Sequence, residues 1–451
     1  MRRIFSVVIA VVVVAVVVLG LQNGWFEKEP YNVIIISVDT LRPDHLGCYG
    51  YGSPTSPAID ALFDRGVRFT RAVCQTPTTG PSFCSIMTGA YPHTHGSLQN
   101  AMPLRDDIQT LAEVLKEHQY HTAAFVSSYT VSDESSGLGR GFDRFDDEFA
   151  GEERSAGCTN DSLFAYLEDR SHTPLFIWIH YFEPHGPYIG HSDSRIHPAS
   201  PRSEAPLNMM EDNVVQHLPW VSPKLGLDHY VRLYDGEIAH VDRRIGILLG
   251  ELQKRSLLEN TLVVFLSDHG ESFDHGLYCR HGLFLYESSI RIPLAFVFPA
   301  GKHGGGIVEG VVQSIDIPCT ICDFLGFPPP EGAEGRSLLP MIEEGESHPG
   351  TAFLERRRYE EDNRFGVTGS RHAIRTAEWK YIHSTEEPDE LYNLQLDPGE
   401  LRNLVEEEPD RAASMLDDLQ AWIGEAGVCC EELPELSDEA REKLKALGYI
   451  Q

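Results

Sequence analysis

Three short apolar runs constrain this chain more than any other feature. Residues 33–36, 175–179 and 262–266 are each a handful of large aliphatic or aromatic side chains closed off by polar ones. A run this short reads as a strand buried on both faces of a parallel sheet. In open α/β sheets chemistry collects beyond the carboxyl ends of such strands. The first run ends at Ser37-Val38-Asp39-Thr40, and the second at His180 with His185 after a short turn. The third ends at Ser267-Asp268-His269-Gly270-Glu271. One such terminus carries little weight, but three delivering Asp or His at the same end point to a single site. Thr79, in Thr79-Gly80-Pro81-Ser82-Phe83, opens an apolar, helix-like segment, so a hydroxyl sits at a predicted helix start. A strand-end carboxylate and a helix-start hydroxyl are what a metal-activated nucleophile requires.

The rest of the chain supplies the alternation of a sheet wrapped on both faces. A helix is expected over 56–66, with proline in its first turn and glycine as its stop, then a strand over 67–73. Apolar spacing predicts a helix over 105–117, a strand over 122–126, and a long amphipathic helix through Tyr234, Ile238, Val241, Ile245, Leu248 and Leu252. Asp235, Glu237 and Asp242 occupy its polar positions and read as a solvated face. The stretch 187–223 is loop-like and, following His185, is expected to wall the substrate pocket. His93 and His95 read as turn-shaping. His281 lies on the loop after the third run and reads either as structural or as facing substrate. Cys319 and Cys322 fall inside an apolar helical stretch and read as buried thiols rather than a redox or metal pair.

Beyond a composition break near 328–346, short strands over 366–376 and 379–383 and a helix face of Met415, Leu416, Leu419, Trp422 and Ile423 indicate a small α+β subdomain. The organisation expected is a catalytic domain over 31–345, a C-terminal subdomain over 350–427 and a terminal tail with a helix over 428–451. Cys429 and Cys430 in that tail receive no role. Residues 1–22 begin Met1-Arg2-Arg3 and continue as an apolar run long enough for a helix of about 27 Å, close to a bilayer's hydrocarbon thickness. This reads as an uncleaved membrane anchor, with a cleaved signal peptide as the alternative. Either way the body is expected outside the cytoplasm, periplasmic or extracellular. A net charge of −31 with no basic stripe argues against a nucleic-acid partner.

The segments Ser37-Val38-Asp39-Thr40-Leu41-Arg42-Pro43-Asp44-His45-Leu46-Gly47, 79–89, 178–188 and Ser267-Asp268-His269-Gly270-Glu271 resemble the sulfatase family of the alkaline phosphatase superfamily. Lys380-Tyr381, Leu391-Tyr392-Asn393-Leu394 and Asp397-Pro398 extend the resemblance into the small subdomain. It implies an alkaline-phosphatase-like α/β sandwich with a mostly parallel central sheet and a small C-terminal subdomain. It also implies a metal-dependent ester hydrolase. Carried over residue by residue, Asp39, Asp268 and His269 hold one divalent cation. Thr79 falls at the nucleophile position, and His185 and His281 contact the ester oxygens or the leaving group.

The departures bear on chemistry. Sulfatases proper carry Cys or Ser at the Thr79 position, oxidised to formylglycine, with Arg four residues on. Threonine is a secondary alcohol that oxidation would turn only into a ketone, so formylglycine is excluded here, and Phe83 replaces the arginine. The lysine-tryptophan-histidine sulfate clamp is missing, with Val126-Ser127-Ser128 in its neighbourhood, and Thr40 stands where a second metal aspartate is common. An unmodified alcohol leans toward phosphate or phosphonate esters, since its adduct is cleared only by water attacking phosphorus or sulfur. A histidine ligand favours Mn²⁺ or Zn²⁺, with Ca²⁺ or Mg²⁺ open if His269 stands back. The reading is an extracytoplasmic hydrolase of sulfate or phosphate/phosphonate esters on a small molecule or glycan. The alternatives are a membrane-anchored phosphoalcohol transferase and a non-catalytic sulfated-glycan-binding relative.

Overall fold

The structure, a computed structural model, describes residues 30–168, 174–191, 220–221, 225–276, 278–345, 350–359, 367–426, 436–447 and 449. The expected anchor over 1–22, most of the 187–223 loop, and Cys429 and Cys430 lie outside them. Among the described residues no helix is long and apolar enough to cross a membrane.

Eight strands form the main sheet: β1 Asn32–Val38, β2 Val67–Val73, β3 His121–Phe125, β4 Arg144–Asp146, β5 Leu175–Tyr181, β6 Thr261–Ser267, β7 Arg291–Val297 and β8 Gly306–Gln313. Their order is β4-β3-β5-β1-β6-β7-β2-β8, and only β7 runs against the others. The three apolar runs are thus the three central, adjacent strands β5, β1 and β6, buried along their whole length. Successive side chains point to opposite faces. Val33 and Ile35 enter one core with Phe83 and Trp178. Ile34, Ile36 and Val38 enter the other with Tyr234 and Ile245.

Helices cover both faces, among them α1 Pro57–Phe63, α2 Thr79–Thr88, α3 Leu111–Glu117, α4 Ala156–Glu168, α5 Leu227–Lys254 and α6 Asp316–Leu325. A second sheet, β9 Ala352–Tyr359, β10 Gly369–Arg375, β11 Trp379–Ser384 and β12 Glu390–Asn393, is antiparallel. Helix α7, Pro409–Ala426, packs on it through Met415 and Leu419. The last element is α8, Asp438–Ala446.

Two expectations need correction. The helix predicted over 105–117 begins only at Leu111, because Thr110 and Glu113 form a reciprocal capping box that fixes its first turn there. Asp235, Glu237 and Asp242 are not a solvated face; all three are buried. Asp235 pairs with His45 at 2.7 Å and accepts from the Tyr51 hydroxyl at 2.6 Å. Glu237 accepts from Ile189 N and His191 Nε2, both at 2.6 Å. Asp242 takes the Ala58 and Ile59 amides at 2.9 and 2.8 Å, capping α1 from α5, where Ser56 makes no side-chain cap. Cys319 and Cys322 are buried free thiols in α6.

Candidate active site

Register brings the site together. Val38 lies opposite Tyr181 of β5 and Ser267 of β6, so the residues that follow these positions emerge at one level. Asp39, Asp268 and His269 are wholly buried, and each offers a ligand atom within 4.8 Å of the others. Asp268 Oδ1 accepts from Thr40 N at 3.1 Å and His269 N at 2.9 Å, which aims Oδ2 away from the backbone. Thr40 adopts φ 57° to present that amide, a strained conformation for a β-branched residue. His269 Nδ1 donates to Gly270 O at 2.9 Å, leaving the Nε2 lone pair 3.2 Å from Asp268 Oδ2. The turn that allows this needs glycine, since a Cβ at position 270 would lie 2.1 Å from Ser288 O.

The donor set fits a divalent cation. Both Asp39 oxygens and Asp268 Oδ2 are buried without a hydrogen-bond partner, and buried carboxylates in that condition are costly unless charge is balanced. Burial, then the charges of Asp268 and Glu271, raises the Asp39 carboxyl well above the ordinary range. A cation among these acids reverses that penalty. His180 stands behind, its Nε2 at 3.6 Å from Asp39 Oδ2, and burial lowers it to about 3.

Thr79 is the first residue of α2, where free amides and the helix dipole favour developing negative charge. The start of the helix is pinned by Asn100 Oδ1 accepting from Gly80 N at 2.8 Å, and by Ser82 Oγ donating to Asp268 O at 2.7 Å. Thr79 Oγ1 lies 3.2 Å from His269 Nε2. Phe83, one turn on, sets its ring against Trp178 and edge-on to His180 at 5.3 and 5.0 Å, filling its space with hydrocarbon.

His185 and His281 come to the same place, their rings 5.0 Å apart. His185 Nδ1 donates to Gly186 O at 2.6 Å, so its Nε2 is an acceptor. Burial lowers His185 to about 3. His281 Nδ1 sits 3.3 Å from Glu271 Oε1. A cavity of about 90 Å³ opens beside them, bordered by Trp220, Arg280 and Arg357. The structure therefore brings all six sequence-predicted residues into one connected cluster, of which His185 and His281 line the cavity.

Sequence reasoning passed over two more. Glu271, quoted in a motif but given no role, braces His281 and accepts from the Tyr188 hydroxyl at 3.0 Å. Tyr449, at the far end of the chain, reaches Thr79 Oγ1 at 3.1 Å and His185 Nε2 at 2.9 Å. Nothing in the periodicity around it gives a signal; the glutamate could have been found from its place directly after a strand-end Asp-His pair.

Comparison with known proteins agrees with this geometry. The family model described as Sulfatase matches residues 31–327. The model for the C-terminal part of N-sulphoglucosamine sulphohydrolase matches 273–424. An ulvan-active sulfatase of Formosa agariphila is 26% identical over 470 residues, covering 94% of this chain and 86% of its own. A multifunctional alkaline phosphatase superfamily protein of Trinickia caryophylli is 26% identical over 473 residues, covering 83% and 91%. The crystal structure of a phosphonate monoester hydrolase of Agrobacterium radiobacter shares the fold with a TM-score of 0.72 at 22% identity, over 87% of this chain and 95% of that one.

Proposed function

The chain belongs to the sulfatase family, and from that premise we propose a hydrolase of sulfate or phosphonate and phosphate esters in which unmodified Thr79 is the nucleophile. The observation that carries this reading is the contact of Thr79 Oγ1 with His269 Nε2 at 3.2 Å, beside carboxylate oxygens that lack partners. Asp39, Asp268 and His269 would hold one divalent cation, which when bound lowers the alcohol's pKa and offsets charge on the transferring group. The imidazole ligand favours Mn²⁺ or Zn²⁺.

The chain's own groups do the rest. Thr79 Oγ1 attacks sulfur or phosphorus in line, its oxygen presented by the first turn of α2. As that bond forms, the bond from sulfur or phosphorus to the leaving oxygen breaks. His185, whose Nε2 is an acceptor, and His281 line the cavity and would take up the Thr79 proton and return it to the leaving oxygen. Water then clears the Thr79 adduct, since a threonine ester has no elimination route. The relatives named for ulvan-active sulfatase and phosphonate monoester hydrolase activity support ester cleavage at either sulfur or phosphorus. The unmodified alcohol favours phosphorus. The apolar run over 4–21 is the basis for proposing a body held outside the cytoplasm.

The test is a panel of matched aryl sulfate, aryl phosphate, phosphodiester and phosphonate esters assayed with several metals. Turnover of at least one ester is expected, lost on chelation and reduced about 10³-fold or more in Thr79→Ala. Undiminished activity in that variant removes Thr79 as nucleophile.

A further inference from the structure

The reading of Thr79 as nucleophile leaves the hydroxyl at position 449 unexplained. Tyr449 inserts its phenol between the attacking alcohol and the histidine beyond it, 3.1 Å from Thr79 Oγ1 and 2.9 Å from His185 Nε2. Because His185 Nε2 is the acceptor nitrogen, the phenol donates to it and offers its own oxygen to the Thr79 hydroxyl. An ester's reacting atom must come within about 3–3.5 Å of the nucleophile in line with its bond to the leaving oxygen. It brings non-bridging oxygens of its own. Thr79 Oγ1 is also 3.2 Å from His269 Nε2. The phenol oxygen and a bound ester therefore compete for one volume.

The segment that delivers this phenol is lightly seated. Ser437 caps α8 by accepting from Ala440 N at 3.1 Å. Leu444 and Leu447 are its buried apolar anchors, in a small cluster with Tyr129 and Phe182 that is separate from the main cores. Lys443 adds an ion pair with Glu134 at 2.8 Å, where the glutamate is exposed. A helix this short does not hold together alone in water. Two apolar anchors give a shallow hold, reduced further by the cost of ordering the segment, and a partly exposed ion pair adds little. Such a seat is one that a tightly bound ligand can displace.

We propose that residues 436–447 together with Tyr449 form a displaceable wall of the ester site, and that Tyr449 is the residue that determines which esters reach Thr79. An ester gains access by replacing the phenol, so its apparent affinity carries the free energy of lifting the segment. Small or weakly held esters are excluded, and those with further contacts in the adjoining cavity are admitted.

The experiment uses the full-length protein with two substitutions. Leu444→Asp unseats α8 without touching a reacting group, and Tyr449→Ala removes the phenol. Both are expected to raise kcat/KM for small aryl esters about tenfold, chiefly through a lower KM, with melting temperature of the body retained. An unchanged or reduced kcat/KM in either variant overturns the proposal. If no form turns over any ester of the panel, the hydrolase reading alone fails. The wall is then judged by calorimetric binding of orthovanadate in the presence of Mn²⁺. About tenfold tighter binding in both variants supports it, and equal affinity in all forms overturns it.

Discussion

Phe83 shows how a single side chain can close one chemistry and leave another open. Where sulfatases proper carry a cation, this chain places a ring with no exposure between Trp178 and His180. Substituting Phe83→Arg should not restore a sulfate clamp. It buries a guanidinium in a hydrocarbon slot, and a loss of about 3 kcal/mol or more is expected, read as a lower urea midpoint without a gain in aryl sulfate turnover. Asp39, Asp268 and His269 were legible in the sequence because each closes an apolar strand, a pattern that depends on local order alone. Tyr449 was not legible, because its partner Thr79 lies 370 residues away and only tertiary packing of α8 brings them together. The positive φ of Thr40 was equally hidden, since threonine gives no hint of it.

At the level of elements, a charge on a helix turned out to serve its neighbour. Asp242 of α5 caps α1 through two backbone amides, and burial nonetheless raises its carboxyl to about 6. In an unfolded chain the same group titrates near about 3.9. Between those values the folded state holds a proton that the unfolded state has released. The contribution is therefore complete below about pH 4 and lost as pH rises through about 6. Asp242→Asn keeps an acceptor oxygen but does not titrate. It should flatten the pH dependence of the melting temperature across that window, by at most about 2–3 kcal/mol. An equally steep profile in the variant would remove Asp242 as its source. The same residue explains why the sequence misled. Amphipathic spacing separates apolar from polar positions, yet cannot distinguish a carboxylate facing water from one facing another helix's amides. Strand cores were readable from the local apolar pattern; the order of strands in the sheet and the partners of buried charges were not.

Across the whole molecule, the two sheets are joined by an ionic network and a common core. Lys380 of β11 donates to Leu285 O at 2.8 Å and pairs with Glu287 at 3.3 Å and with Glu400. Arg375 of β10 meets the same Glu287 at 3.0 Å. Burial alone would raise Glu287, but the charges of Arg375 and Lys380 hold its carboxyl well below the usual range. Lys380→Met leaves buried Glu400 without its cation and Glu287 with Arg375 alone, and should cost about 3 kcal/mol, visible as an earlier chemical unfolding transition; an unshifted midpoint would show that Lys380 contributes nothing to stability. Ala352, Leu354, Ala373 and Ile382 of the smaller sheet belong to the same apolar cluster as Val33, Phe83 and Trp178. That shared interior bears on recombination between homologues. A chimera joined near residue 345 would pair mismatched halves of one packed interior, so crossover points that keep both sheets from a single parent are the ones that should yield soluble hybrids.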